Sequence, residues 1–319
     1  MTKVFIDGSA GTTGLRIRER LACRADLEIA SLPESLRKDP SARRDALNSA
    51  DVAFLCLPDA AAVEAAAFVE NPATVVIDTS TAHRTSEGWE YGFPELAGRR
   101  ERIAAAKRIA NPGCHATGFI ALVEPLVRAG MLPAAASLSA FSLTGYSGGG
   151  KKMIADYEAA GASEGATPRA LLAGGRQYAL GQTHKHLPEM VKICGLEKAP
   201  VFSPVVVPHL SGMEVTVPLF AEQLSLSAGV SALDAVSSAY REAYRGGLVK
   251  FADDPSENGF LSSAALSGRD DLEVSVHGCA DRLVLVARFD NLGKGASGAA
   301  IQNMNIAIGS HETEGLVTA

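Results

Sequence analysis

The chain has 319 residues, and at about 100–200 residues per domain that length predicts two domains. Hydrophobic residues make up 47% and charged residues 21%, which excludes a disordered or collagen-like chain. Thirty basic against 36 acidic residues leave a formal charge of −6, which argues against a nucleic-acid binder.

The predicted elements begin with a short apolar strand, Val4–Ile6, ending at Asp7-Gly8. That run is too short for the roughly 7–15 apolar residues of a signal peptide. No later stretch approaches the roughly 18 of a membrane span, so no membrane association is expected. A helical pattern follows, with Leu15, Leu21 and Ala22 apolar among arginines. Further strands are predicted at Leu27–Ala30, Val52–Leu57, Thr74–Ile77 and Arg108–Ala110, with a helix over Ala60–Val69. Alternating strands and helices imply parallel βαβ units. The strands are nearly continuous apolar runs, as expected when both faces are buried.

Beyond Asn111–Cys114 the texture changes. Strands are predicted at Ser137–Leu143, Val201–Val207, Val215–Leu219, Leu272–Val276 and Leu283–Phe289. Longer strands with irregular helices between them point to an α+β domain on a largely antiparallel or mixed sheet. A last helix is predicted over Ala296–Ile308.

Gly8, Gly11 and Gly14 fall between the first strand and the first helix, where a dinucleotide loop belongs. Glycines let the backbone turn tightly and approach a pyrophosphate, and the helix start offers N–H donors. Thr12 and Thr13 add hydroxyls. An ordinary glycine-rich turn is the alternative. The second strand ends without the acid that usually holds an NAD ribose. Ser31, Arg37 and Lys38 follow, and a hydroxyl with two cations suits the 2′-phosphate of NADP(H). Glu34 is the counter-signal.

Five cysteines stand at 23, 56, 114, 194 and 279. The odd count and the lack of C-x-x-C spacing exclude a disulfide scaffold and a cysteine-rich zinc module. Free thiols fit a reducing compartment. Cys114 follows Asn111-Pro-Gly, a turn, and opens the helical pattern from Ala116 to Val127. A thiol at a helix start is biased towards the nucleophilic thiolate. Cys23 is read as part of the first helix and Cys56 as part of an apolar strand. Cys194 and Cys279 are read beside glycines near strand ends. All four are expected to fill space as small hydrophobes. A nucleophilic thiol wants a base. His184, His186 and Glu189 concentrate that capacity, and His-x-His lacks a third ligand at metal spacing. His115 is expected to point elsewhere. Ser147, Gly148, Gly149 and Lys151 offer hydroxyl, peptide and ammonium donors to substrate anions, with a flexible loop as the alternative, and Arg84 is a further candidate, equally readable as a structural ion pair.

Gly8-x-x-Gly11-x-x-Gly14, Asn111-Pro-Gly-Cys114, Thr144-Gly-Tyr-Ser-Gly-Gly-Gly-Lys151, His184-Lys-His-Leu-Pro-Glu189 and Asp290-Asn-Leu-Gly-Lys-Gly-Ala-Ser-Gly298 recur in that order. Together they resemble the N-acetyl-γ-glutamyl-phosphate reductases of arginine biosynthesis, in their shorter (type 2) form. The resemblance covers the whole chain. It implies a Rossmann-like NADP(H) domain over 1–113, completed by 293–319. It also implies an α+β catalytic and oligomerisation domain of the semialdehyde-dehydrogenase type over 114–292. The implied partners are a small acyl-phosphate substrate and further copies of the chain, as homodimer or homotetramer, in the cytoplasm. The implied catalytic residues are Cys114, His184, His186 and Glu189, with Asn291 and Gly293 of the last motif at the cofactor. Aspartate-semialdehyde dehydrogenase and aminoadipyl-phosphate reductase are the near alternatives. A cysteine-dependent acyltransferase or hydrolase, or a non-catalytic dinucleotide sensor, lies further off.

Overall fold

The computed structural model describes residues 1–159 and 167–318. The chain divides into two compact units, and the second begins at Cys114 and runs to Gly295. The first comprises Met1–Gly113 and Ala296–Val317.

In the first unit, β1 (Thr2–Asp7), α1 (Thr12–Leu21), β2 (Leu27–Ala30), α2 (Pro40–Ser49), β3 (Val52–Leu55) and α3 (Asp59–Ala67) follow one another. Next come β4 (Val75–Asp78), β5 (Glu90–Tyr91), α4 (Arg99–Ala105) and β6 (Arg108–Ala110). The sheet order is β2-β1-β3-β4-β6-β5, parallel throughout. Central strands β3 and β4 are buried at every residue, which explains their unbroken apolar sequence.

The second unit opens with α5 (Cys114–Arg128), β7 (Ser139–Gly145), α6 (Gly150–Glu158), α7 (Arg169–Ala173) and β8 (Arg176–Gln177). It continues with α8 (Leu187–Cys194), β9 (Val201–Val207), β10 (Met213–Phe220) and α9 (Ala232–Ala243). It closes with β11 (Val249–Phe251), β12 (Leu272–Gly278) and β13 (Arg282–Phe289). Its sheet is mixed, in the order β11-β12-β13-β10-β7-β9-β8. The β7–β9 and β11–β12 pairs are parallel and the others antiparallel.

Helix α5 packs on β10 and β13 and carries Pro125 in its interior. Proline has no N–H, so the Ala121 carbonyl one turn back loses its helical partner. Tyr244 replaces it, its hydroxyl donating to the Ala121 oxygen at 2.6 Å. Tyr240 donates likewise to the Leu122 oxygen at 2.5 Å. The helix headed by Cys114 thus keeps its backbone satisfied despite the proline.

The chain then returns to the first unit. A π-helical turn, Gly293–Ser297, precedes α10 (Gly298–Ile308), so regular helix starts two residues later than predicted. Ala300, Ile301 and Met304 of α10 join Ile17, Phe54 and Ile77 in the core on one face of the parallel sheet. Leu47, Leu55, Ala65 and Val76 form the core on the other.

Candidate active site

The glycine loop sits between β1 and α1. Gly8 has φ +86°, and a Cβ there would stand 2.2 Å from the Cys56 carbonyl oxygen. Only glycine allows that turn and that approach. Gly11 caps α1, Thr12 and Thr13 begin it, and Gly14 is buried in its first turn. No acid stands in that first turn, which leaves its N–H groups open to an anion.

Beside the loop lies a cavity of about 380 Å³. Gly8, Ser9 and Ala10 wall one side, and Ser31, Arg37 and Lys38 another. Leu32, Leu57 and Ala61 give it an apolar flank. Glu34 is not among the lining residues, so the acid that spoke for NAD is absent from the wall. Two lining cations escaped the sequence reading. Arg18 projects from α1 as an exposed side chain. Arg43 of α2 is buried against Asp7, Nε to Oδ2 at 3.0 Å, and reaches Glu64 with Nη1 at 3.0 Å. Burial raises the Asp7 carboxyl pKa despite that pairing.

In the second unit, Cys114 is the first residue of α5 and half-buried. The other cysteines differ partly from expectation. Cys56 is pushed up to about 12 by burial, and Cys194 is also raised by burial. Cys194 ends helix α8 rather than a strand, and Cys23 lies just past α1. Cys23 and Cys279 are exposed, so they fill no core space.

The structure gathers His184 and His186 with a third histidine. Their rings stand 4.6 Å apart, edge to face. His184 Nδ1 accepts the His186 peptide N–H at 3.1 Å. His186 caps α8, and Glu189 is buried in the first turn of that helix. His115 does not point away, as the sequence reading expected. Its ring lies 5.3 Å from His184 and 5.6 Å from His186. Successive helical residues are about 100° apart, so a neighbour of Cys114 can still face the same cluster. His115 Nδ1 is 2.6 Å from Ser142 Oγ, and Nε2 is 2.6 Å from the Tyr178 hydroxyl. Burial, then the charge of His184, lowers the His115 pKa to about 3, so its ring is neutral. Tyr178 belonged to no motif and comes from 63 residues along the chain.

The candidate anion-binding residues divide. Tyr146–Gly149 forms a 3₁₀ turn leading into α6, and Gly148, Gly149 and Lys151 are exposed. Ser147 is buried, its Oγ accepting from Asn291 Nδ2 at 3.0 Å. Asn291, expected at the cofactor, also accepts the Gly212 N–H at 2.9 Å within the second unit. Gly293 is likewise packed there, since a Cβ would stand 2.0 Å from the Arg269 oxygen. Arg84, a candidate for substrate, is anchored to backbone carbonyls. Its Nε donates to the Asn111 carbonyl at 2.9 Å and Nη2 to the Thr79 carbonyl at 3.1 Å. Among the described residues no group of three or more His, Cys, Asp or Glu is placed to hold a metal. No helix there is long and apolar enough to cross a membrane.

Comparison with known proteins places the chain. Residues 31–106 match the semialdehyde dehydrogenase NAD binding domain, and 114–291 its dimerisation domain. N-acetyl-γ-glutamyl-phosphate reductase of Brucella anthropi is 46% identical over 96% of this chain and 98% of its own length. The enzyme of Brucella ovis is also 46% identical, over 96% and 99%. The chain belongs to the N-acetyl-γ-glutamyl-phosphate reductase family. It is an oxidoreductase with a Rossmann-like nucleotide-binding domain. Aspartate semialdehyde dehydrogenase II of Vibrio cholerae, solved with ASA, superposes with a TM-score of 0.73 at 16% identity, over 98% and 99% of the two chains. The Candida albicans aspartate semialdehyde dehydrogenase, solved with NADP, gives 0.66 at 15%, over 96% and 99%. At such identities these two share the fold.

Proposed function

We propose that the chain reduces N-acetyl-L-glutamyl 5-phosphate to N-acetyl-L-glutamate 5-semialdehyde with NADPH, through a thioester on Cys114, as a step of arginine biosynthesis in the cytoplasm. The observation that carries the reading is Cys114 at the head of α5, next in sequence to a three-histidine cluster.

The cavity by the glycine loop fits the cofactor. Leu32, Leu57 and Ala61 suit an adenine ring, and Gly8 lets a pyrophosphate approach. Arg18, Arg37, Lys38 and Ser31 suit a 2′-phosphate. NADPH, when bound, supplies the hydride that takes the acyl carbon to the aldehyde level.

The chain's own residues do the rest. Cys114 Sγ attacks the acyl carbon, and peptide N–H groups of the first α5 turn stabilise the developing oxyanion. The carbon–oxygen bond to phosphate breaks, and phosphate leaves with the electron pair. His184 or His186 supplies the one proton the departing phosphate takes up. After reduction the carbon–sulfur bond breaks and its electrons return to Cys114 as thiolate. Gly148, Gly149 and Lys151, at the start of α6, hold a substrate anion.

The working form is a homo-oligomer. Phe141, Val201, Phe220 and Val284 are 54%, 61%, 57% and 37% exposed on one face of the second sheet. Their pairing register puts them on that same face. Apolar exposure of this kind marks an interaction surface.

The test is the reverse assay, phosphate-dependent reduction of NADP⁺. N-acetylglutamate semialdehyde should be the better substrate by at least about tenfold, and a preference for aspartate semialdehyde would overturn the assignment. Cys114→Ser should lose at least about 10³-fold in kcat. Near-normal turnover by that variant would end the thioester route.

A further inference from the structure

The segment from Tyr178 to His186 joins β8 to α8 and carries both candidate acid/base histidines. It is not slack. Ala179 and Gln182 sit in the left-handed region at φ 53° and 55°, a conformation that costs a non-glycine residue on the order of 1 kcal/mol or more. Something must hold those residues there. One pin is Gln182, whose amide donates to the Phe202 carbonyl and accepts the Phe202 N–H, both at 2.8 Å. The other is Tyr178. Its hydroxyl meets His115 Nε2 at 2.6 Å, and His115 is fixed in turn by Ser142 Oγ at 2.6 Å. Ser142 lies on the buried side of β7, and His115 is the residue after Cys114.

We propose that Tyr178 is a positioning residue for the reaction: its bond to His115 latches the segment bearing His184 and His186 to the helix turn bearing Cys114. The inference rests on the proposed roles of Cys114 and the histidine pair. The geometry makes the latch specific. Tyr178 closes on His184 with ring centroids 5.8 Å apart, and His184 packs edge-on against Phe202 at 5.2 Å. The segment is thus held at its first residue by Tyr178 and at its middle by Gln182. The backbone bond from His186 to His184 then sets the far end. Burial and the nearby Cys114 both raise the Tyr178 pKa, so the phenol stays protonated as a hydrogen-bonding group through the working range.

Tyr178→Phe removes the oxygen and keeps the ring. A displacement near 1 Å in a reacting group costs on the order of 10²-fold, so a loosened latch should lower kcat by at least about tenfold. KM for NADPH should stay within about twofold, because the cavity by the glycine loop is built from the first unit. Alkylation of Cys114 by iodoacetamide, which needs no substrate, should slow at least about threefold at neutral pH. Gln182→Ala, at the second pin, should move kcat and alkylation in the same direction, with a melting temperature lowered by only a few degrees. It serves if the phenylalanine variant does not fold. Folded variants with wild-type kcat and wild-type alkylation would overturn the latch. If wild-type protein fails to turn over the acyl phosphate while both variants still slow alkylation, the substrate reading falls and the latch stands.

Discussion

Gly295 faces Cys114 with no side chain between them: a Cβ at position 295 would stand 2.9 Å from the cysteine Cβ. The same added atom would meet the Asp290 oxygen and Phe289 Cε2, each at 3.2 Å, so it has no free direction. Gly295→Ala therefore displaces the head of α5 or the π-helical turn. We expect kcat to fall on the order of 10²-fold, the cost of shifting a reacting group by about 1 Å. Nucleotide binding, followed by NADPH fluorescence, should persist. Wild-type kcat in the alanine variant would show that the close packing does not position the thiol.

The cations around Ser31 give a second prediction. Arg18, Arg37 and Lys38 line one cavity and all three are exposed. On the proposed 2′-phosphate site, alanine at any one should remove a charge-assisted bond and raise KM for NADPH about tenfold. KM for NADH should change much less, and the NADPH effect should shrink at high salt. Equal effects on the two cofactors would assign these cations to another role.

Much of this architecture is legible in the sequence, for physical reasons that also mark where legibility ends. The strands β3 and β4 read as continuous apolar runs because both of their faces are covered. Helix α2 gives no such signal, because one of its two buried residues is Arg43, paired with Asp7. Cys114 is readable from local chemistry, a turn followed by a helix start. His115 and Tyr178 are not, since a tertiary contact across 63 residues makes their pairing and no local pattern encodes it. Arg84 is ambiguous for a related reason. A buried arginine that braces two carbonyls looks, in sequence, like one awaiting an anion.

His115 links the cluster to acid stability. Its folded pKa, about 3, lies below its ordinary value of 6.5. The unfolded chain therefore binds the extra proton first as pH falls between those values. The stabilisation is complete above about pH 6.5 and is lost towards pH 3, with a limiting slope of about 1.4 kcal/mol per pH unit. Urea unfolding at pH 7.5 and pH 5 should show that loss in the wild type. His115→Asn should show a shallower dependence. The same slope in both proteins would mean that His115 does not titrate in this way.

The outer face of the second sheet, proposed as the oligomer interface, gives a last prediction. Phe141 stands opposite Thr216 of β10 and Ser203 of β9, at the middle of the face that also shows Val201, Phe220 and Val284. Its neighbours across the strands are small or polar, so a partner's side chains can reach the ring. Phe141→Glu places a charge there that an apolar interface leaves unpaired, at a cost of several kcal/mol per interface. Light scattering coupled to size exclusion should then report monomers for the variant and a larger species for the wild type. An unchanged oligomer would place the interface elsewhere on the chain.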